Sequence, residues 1–291
     1  MEERRHLLLA GTMGFCNGVR RALQLVEQLL VRGNVPLYVL HEIVHNNFVV
    51  ENLRARGVVF VEDPAEVPDG ACLILSAHGT APQVRIAAEK RLRVIDAACP
   101  LVQKVQKAAM TAEKAGERII LLGHADHPEV IGILGHCSPG AIELISRPED
   151  CARLLPDDGR PVRLLTQTTM NVDEVAGIRK LLVEKFPDVR DGAQVCYATG
   201  ERQSAVRNLA KEVEYMLILG SSHSSNAVRL LETAQKENIP GKLIDLPEKI
   251  DPRDLAGIRK LGLSAGASVP DDLISRTVEY LAALGFSTAA D

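Results

Sequence analysis

The sequence has few aromatic residues and no tryptophan: four Tyr and five Phe are spread over 291 residues. Proteins that hold single-stranded nucleic acid stack its bases on aromatic side chains, and those that bind a phosphate backbone carry clustered cations. Here the formal net charge is only −4, and the chain has no long basic or acidic block. We therefore expect no nucleic-acid partner.

Long hydrophobic runs are also missing. No apolar stretch approaches the ~18 residues of a membrane span, and "LLLAG" after "MEERRH" is too short for the apolar region of a signal peptide. These features predict a cytoplasmic protein with no membrane partner. In that compartment, six cysteines are more typical of metal or redox chemistry than of disulfides.

The six cysteines fall into two groups. Three are interpreted as core or incidental thiols: Cys72, Cys137 and Cys151. The other three lie where a β-rich run gives way to a helix-like segment, as in "LLLAGTMGFCNGVRRALQLVEQLL": Cys16, Cys99 and Cys196. A helix N-terminus lowers the pKa of a thiol and favours the thiolate, which is the form that binds metal ions.

The chain repeats a pattern rather than a sequence. Nine short β-rich runs end in small or polar residues and alternate with helix-like segments such as "PLVQKVQKAAMTAEKAG". The runs are "HLLLAGTMGFC", "VPLYVLHEIVHNN", "ACLILSAHGT", "LRVIDAACP", "ERIILLGHADHPE", "VRLLTQTT", "AQVCYATGERQ", "VEYMLILGSSHSSN" and "RKLGLSAGAS". Nearly unbroken apolar strands that alternate with helices predict parallel sheets covered by helices. We predict an α/β fold of three similar parallel-sheet units, arranged with pseudo-threefold symmetry around a central cavity.

The predicted units span 15–97, 98–194 and 195–291, and the N-terminal strand in 1–14 completes the third. Ligands of open α/β sheets bind at the carboxyl ends of the strands, so this arrangement would bring Cys16, Cys99 and Cys196 into one cavity. Three thiolates suit zinc or an iron–sulfur cluster. Because the chain lacks the C-x-x-C pairs typical of structural zinc, we favour a cluster with one open iron. Three unrelated buried cysteines are the alternative.

The other strand ends are rich in imidazole and hydroxyl groups. Together with the N–H groups at helix starts, such side chains can hold a diphosphate without Lys or Arg. Glu129 is the carboxyl expected in the cavity, where desolvation and a nearby anion should raise its pKa and make it a proton donor. The remaining candidates are His41, His45, His78, His124, His127, Thr166, Thr168, Thr169, Ser224, Ser225, Asn226 and Ser268.

Nine motifs occur in the order "GFCNGV", "HEIVHN", "SAHG", "DAACPLV", "GHADHPEV", "TQTT", "CYATGERQ", "SSN" and "SAGAS". In order and spacing, from about Leu8 to about Pro270, this set resembles the 4-hydroxy-3-methylbut-2-enyl diphosphate reductase family. That family catalyses the last step of the non-mevalonate isoprenoid pathway. The resemblance implies a trefoil-like α/β fold and a [4Fe–4S] cluster held by Cys16, Cys99 and Cys196.

The resemblance also implies a reaction and a set of roles. The open iron would bind the allylic hydroxyl oxygen, and two electrons and two protons would remove it as water, giving isopentenyl or dimethylallyl diphosphate. Glu129 would donate a proton, and Thr168 would bind the substrate by a hydrogen bond near its hydroxyl and help to relay that proton. A flavodoxin or ferredoxin would supply electrons. His41 and His124 would have no direct contact with the substrate or the cluster and would support the residues that do. Substrate would bind to His45, His78 and His127, and its diphosphate to Ser224, Ser225, Asn226 and Ser268.

The sequence departs from the family pattern at Met13, where Arg is common, at Gly200 and Glu201, where Thr-Asn is frequent, and at Ala227, where Ser or Thr is usual. None of these positions is among the assigned site residues.

The alternatives to the reductase are a quinolinate synthase-like [4Fe–4S] dehydratase, a non-catalytic iron–sulfur sensor, and an α/β hydrolase or phosphate-binding protein with incidental cysteines. The motifs "GHADHPEV" and "SAGAS" favour the reductase over the dehydratase.

Overall fold

The computed structural model describes residues 5–33 and 36–288 of the chain, and thirteen strands and nine α-helices lie within them. The strands are β1 Arg5–Leu9, β2 Leu37–Leu40, β3 Val58–Val61, β4 Cys72–Leu75, β5 Arg93–Asp96, β6 Arg118–Leu122, β7 Ile142–Ile145, β8 Val162–Thr166, β9 Val189–Asp191, β10 Tyr215–Leu219, β11 Gly241–Ile244, β12 Lys260–Ala265 and β13 Phe286–Thr288.

The helices alternate with the strands along the chain. They are α1 Asn17–Val31, α2 Asn47–Ala55, α3 Pro82–Glu89, α4 Pro100–Lys114, α5 Pro128–Leu134, α6 Val172–Lys185, α7 Tyr197–Ala210, α8 Ser225–Lys236 and α9 Asp271–Ala283. The longest, α1 and α4, have 15 residues each, and none in the described part of the chain qualifies as a membrane span.

The strands form three sheets, and the strand pairs within them are parallel. Sheet 1 has the order β3-β2-β4-β5, sheet 2 the order β7-β6-β8-β9, and sheet 3 the order β11-β10-β12-β1-β13. The predicted α/β class with three parallel sheets is therefore confirmed. In sheet 3 the first strand of the chain lies between β12 and β13, with Leu9 in register with Leu263.

The chain forms two compact units. One comprises the chain up to Asn17, His45–Asn52 and the chain from Tyr197 onward, and it contains sheet 3. The other comprises Gly18–Val44 and Leu53–Cys196 and contains sheets 1 and 2. The division into three units at the predicted boundaries stays a proposal. Residues 1–4, 34–35 and 289–291, which belong to the predicted units, lie outside the described residues.

Both faces of sheet 3 are buried. On one face Leu217 and Leu263 belong to a core cluster that also contains Leu273 of α9, and on the other face Met216 and Ile218 pack with α8. A strand covered on both faces carries apolar residues at consecutive positions instead of alternating ones. This burial explains the unbroken apolar run "YMLIL" in β10.

One predicted strand is wrong. The pattern of "AQVCYATGERQ" predicts a strand at its start, but residues 193–196 form none, and α7 begins at Tyr197. The strand lies earlier, at Val189–Asp191, where Arg190 and Asp191 are exposed and hide the pattern. At Gly192 the backbone turns close to Leu165, in a space that a β-carbon would fill.

Candidate active site

The three cysteines singled out by the sequence each directly precede a helix. Cys16 stands before α1, Cys99 is the N-cap residue of α4, and Cys196 stands before α7. None of the three forms a disulfide within the described residues, and all three are partly buried. Their predicted position at helix starts is confirmed, whereas their role as metal ligands stays a prediction.

Each of these cysteines is held to a parallel strand in the same way. Its backbone N–H donates to a carbonyl oxygen that lies two residues beyond the last residue of a strand: β12, β4 or β8. The carboxyl ends of parallel strands are where α/β proteins build their ligand sites. The bonds run from Cys16 to Ala267, from Cys99 to Ala77 and from Cys196 to Thr168, each 3.0 Å long.

The other three cysteines are core thiols, as interpreted. Cys72, Cys137 and Cys151 are at most 9% exposed. Burial raises the pKa of Cys72 and of Cys151, and it raises that of Cys137 to about 11. These side chains therefore stay protonated at neutral pH, which does not favour metal binding.

Glu129 is a buried carboxyl whose two oxygens both accept hydrogen bonds from Thr168. It lies in the first turn of α5 with only 2% of its surface exposed. Its Oε1 accepts the backbone N–H of Thr168 at 2.7 Å, and its Oε2 accepts the Thr168 hydroxyl at 2.9 Å. Burial raises the pKa of Glu129 to about 7, although the two bonds from Thr168 act in the opposite direction.

Thr168 therefore joins the carboxyl to a cysteine. Its N–H and hydroxyl donate to Glu129, and its carbonyl oxygen accepts the N–H of Cys196. A group with a pKa near 7 is protonated in about half of the molecules at neutral pH and can give up that proton readily. This arrangement can deliver a proton beside a cysteine.

Two histidines accompany this carboxyl in the second compact unit. His127 is the N-cap residue of α5, and its Nδ1 accepts the N–H of Glu129 at 3.1 Å. In the neutral ring the proton then resides on Nε2, which makes that nitrogen a donor. The rings of His78 and His127 meet edge to face with their centroids 5.6 Å apart.

The first compact unit holds a polar cluster at the start of α8. Ser224 caps this helix, and Asn226 in its first turn accepts the N–H of Ala267 through Oδ1 at 2.9 Å. Asn226 is 5% exposed, and its Nδ2 has no hydrogen-bond partner within the described residues. A buried amide donor at the N-terminus of a 12-residue helix is suited to an anion.

The same cluster includes the other candidates of this unit. The Ser268 hydroxyl donates to the carbonyl oxygen of His45 at 2.9 Å, and the His45 ring meets His223 edge to face with centroids 5.5 Å apart. Ser225 is the first residue of α8. Cys16 belongs here too, because Ala267 accepts its N–H.

The remaining candidates, His41, His124, Thr166 and Thr169, differ in their contacts and in their burial. His41 adopts a left-handed backbone conformation with φ 56°, and its Nδ1 lies 2.7 Å from the Glu62 carboxylate. The N–H of His124 donates to Oε1 of Gln167, whose amide nitrogen donates to the Thr169 hydroxyl. Thr166 is fully buried at the end of β8.

Gln167 is a buried residue of the site that is not among the candidates predicted from the sequence. It is completely buried and joins the His124 loop to the Thr169 loop. A polar residue between two threonines at the end of an apolar strand was the signal that could have revealed it.

The fold and the site define the class of protein: a parallel α/β enzyme with cysteine, histidine and carboxyl groups at the carboxyl ends of its strands. A family model described as LytB protein matches residues 7–282. The chain belongs to the LytB family.

Two curated relatives carry the same name. One is the 4-hydroxy-3-methylbut-2-enyl diphosphate reductase of Actinobacillus pleuropneumoniae serotype 5b (strain L20). It is 46% identical over 285 residues, which cover 96% of this chain and 91% of the relative. The Ralstonia nicotianae protein of the same name is 45% identical over 282 residues and covers 96% of this chain and 87% of the relative.

Solved structures agree with these relatives. The E-1-hydroxy-2-methyl-but-2-enyl-4-diphosphate reductase of Plasmodium falciparum matches with a TM-score of 0.94 and 36% identity, over 98% of this chain and 91% of that one. A second structure, described as (E)-4-hydroxy-3-methyl-but-2-enyl diphosphate reductase, the terminal enzyme of the non-mevalonate pathway, matches with a TM-score of 0.68 and 32% identity, over 96% of this chain and 99% of that one.

Proposed function

We propose that this chain reduces (E)-4-hydroxy-3-methylbut-2-enyl diphosphate to isopentenyl diphosphate and dimethylallyl diphosphate. The reaction breaks the allylic C–O bond, consumes two electrons and two protons, and releases the oxygen as water. Membership of the LytB family and curated relatives of that name at 45–46% identity support this activity. The structural observation that carries the proposal is the joint contact of Thr168 with Glu129 and Cys196.

The family implies a [4Fe–4S] cluster, and the donor set of this chain fits one. Cys16, Cys99 and Cys196 are partly exposed thiols at helix starts and form no disulfide within the described residues. Soft thiolates are the ligands that iron–sulfur clusters take. We propose these three as the ligands. When bound, the cluster would supply electrons and a Lewis-acidic iron without a cysteine ligand.

The proton is the contribution of Glu129. Its carboxyl is shielded from water, and its pKa of about 7 keeps a proton available at neutral pH. Thr168 fixes both carboxyl oxygens, so the proton leaves from a defined position. General acids placed in this way typically contribute about 10²–10⁴-fold to a rate.

The diphosphate is proposed to bind at the start of α8. The helix N-terminus and the buried Nδ2 of Asn226 offer donors to an anion without a cationic side chain. The hydroxyls of Ser224, Ser225 and Ser268 add further donors. We propose His45, His78 and His127 as the remaining substrate contacts, with Nε2 of His127 as a donor because its Nδ1 is engaged by Glu129.

The family resemblance supports two further parts of the proposal. A flavodoxin or a ferredoxin would deliver the electrons one at a time, and the reaction would take place in the cytoplasm.

The proposal is tested by anaerobic turnover. The chain is reconstituted with iron and sulfide and given the hydroxymethylbutenyl diphosphate and a low-potential reductant, and the products are identified by mass spectrometry. We expect both five-carbon diphosphates. A reconstituted protein that shows the cluster spectrum but forms neither product would show that the proposed activity is wrong, and the dehydratase and the sensor would be the remaining alternatives.

A further inference from the structure

A buried arginine connects the segments that carry two of the proposed cluster ligands. Arg202 lies on α7, six residues after Cys196, and is 4% exposed. Its Nη1 donates to the carbonyl oxygen of Ala198 at 2.7 Å, and its Nη2 donates to that of Gly14 at 2.6 Å. One guanidinium therefore spans the residue two before Cys16 and the residue two after Cys196.

The Gly14 end of this connection has little freedom. Gly14 has φ 74°, in the left-handed region that glycine tolerates best. A β-carbon there would lie 2.9 Å from the Ile274 side chain. Two residues later, the N–H of Cys16 is bonded to Ala267. The segment that carries Cys16 is thus fixed by its own conformation, by a strand end and by Arg202.

A second contact joins the same two segments. Asn17 and Tyr197 are the residues that directly follow Cys16 and Cys196, and Nδ2 of Asn17 donates to the Tyr197 hydroxyl at 3.2 Å. Both contacts lie within the first compact unit. Asn17 is exposed whereas Arg202 is buried, so the arginine contact has the lower dielectric around it and is the stronger restraint.

We propose that Arg202 is a positioning residue for the iron–sulfur site. It holds the Cys16 segment against the first turn of α7, and its buried positive charge stabilises the negative charge of a thiolate-bound cluster. The inference rests on the proposed function, which assigns the cluster to this chain. Neither the sequence motifs nor the resemblance gave Arg202 a role.

Two physical effects are separable. A guanidinium presents two parallel N–H groups in a rigid fork, which an ammonium group does not reproduce. A fixed positive charge acts at longer range and favours the more negative, reduced state of a cluster. Loss of the fork should loosen the segment, and loss of the charge should lower the reduction potential.

The test compares Arg202→Gln with Arg202→Lys in the reconstituted full chain. In Arg202→Gln we expect iron release to a chelator to become roughly tenfold faster or more, as is typical when a group that orients a metal ligand is removed. We also expect a lower reduction potential and faster amide exchange in residues 14–17. Arg202→Lys should retain the wild-type potential but show the faster exchange.

Arg5→Gln is the matched control. The Arg5 guanidinium also donates to main-chain carbonyl oxygens of the first compact unit, those of Leu255, Ile258 and Leu284, but it lies at the opposite end of β1 from Gly14. Its loss removes bonds of the same kind without touching a cysteine segment. We expect wild-type iron release and potential in this variant.

Wild-type iron release and potential in Arg202→Gln would overturn the inference, and so would equal changes in Arg5→Gln. If Arg202→Gln does not fold, Arg202→Lys decides, because wild-type exchange in that variant excludes the proposed restraint. Failure of the proposed function looks different: the wild-type protein itself would take up no iron, or it would assemble the cluster and form neither five-carbon product. Exchange in residues 14–17 would then still show whether Arg202 holds the segment.

Discussion

Replacing Glu129 with glutamine separates what this carboxyl does for catalysis from what it does to stability. The substitution keeps the shape of the side chain, and the amide can still accept the N–H of Thr168 and contact its hydroxyl. Only the acidic proton is lost. Turnover should therefore fall by about 10²–10⁴-fold, which corresponds to ~3–5 kcal/mol in the activation barrier.

The same change should stabilise the folded chain above neutral pH. The pKa of Glu129 is about 7 in the folded protein against a usual 4.5. Between these values the unfolded chain releases the proton while the folded chain keeps it, so the free energy of unfolding falls as the pH rises. With ~1.4 kcal/mol for each pH unit, the total loss is about 3 kcal/mol. Glutamine does not titrate and escapes this loss.

Both effects are measurable on one variant. Urea unfolding of the cluster-free chain should show Glu129→Gln to be more stable than wild type at pH 8, with the difference vanishing towards pH 4.5. The wild-type kcat should fall as the pH rises through about 7 because the acid loses its proton. Asp126 is an exposed carboxyl in the turn that leads into α5, so Asp126→Asn is the control and should leave both properties unchanged.

Wild-type turnover in Glu129→Gln would refute the assignment of this group as the proton donor. Equal stability of the two proteins at pH 8 would refute the claim that the carboxyl is ionised against a burial cost.

Three further substitutions test the rest of the site. Thr168→Val removes the hydroxyl that contacts Glu129 but keeps the backbone bonds. Because an unmade buried hydrogen bond costs ~1–3 kcal/mol, kcat should fall by roughly tenfold while KM stays near its wild-type value. A changed KM with normal kcat would contradict this. Asn226→Asp replaces a buried amide donor with an acceptor of the same size, and KM for the diphosphate should rise by tenfold or more in steady-state assays; an unchanged KM would remove the diphosphate from α8. Cys99→Ala should lose bound iron in a colorimetric iron assay, whereas Cys137→Ala, which changes a core thiol, should retain it; retention in both would exclude Cys99 as a ligand.

The strands that the sequence left unpredicted share one property. β3, β7, β9, β11 and β13 are all at the edge of a sheet, whereas the strands inside the sheets and one edge strand, β5, were predicted. An edge strand has one neighbour, and it is short and partly exposed, as Val59 in β3 shows at 40% exposure. Its apolar pattern is therefore weak, and local sequence is a poor guide to it.

Some features of the candidate site could likewise be predicted from the sequence, and others could not. The positions of Cys16, Cys99 and Cys196 at helix starts could be predicted because a strand end and a helix start are local features. The bonds of Thr168 to Glu129 join residues 39 positions apart, and the bond of Arg202 to Gly14 joins residues 188 apart. Such pairings depend on how the sheets and helices pack, and no periodicity in the sequence encodes them.

The most direct test of the central claim is turnover in heavy water. The reconstituted chain, given substrate and reductant in D2O, should release isopentenyl and dimethylallyl diphosphates that each carry one carbon-bound deuterium, because reductive removal of the hydroxyl leaves a carbon centre that must take a proton from the enzyme. Five-carbon products without deuterium, or unchanged substrate beside a fully assembled cluster, would contradict the account.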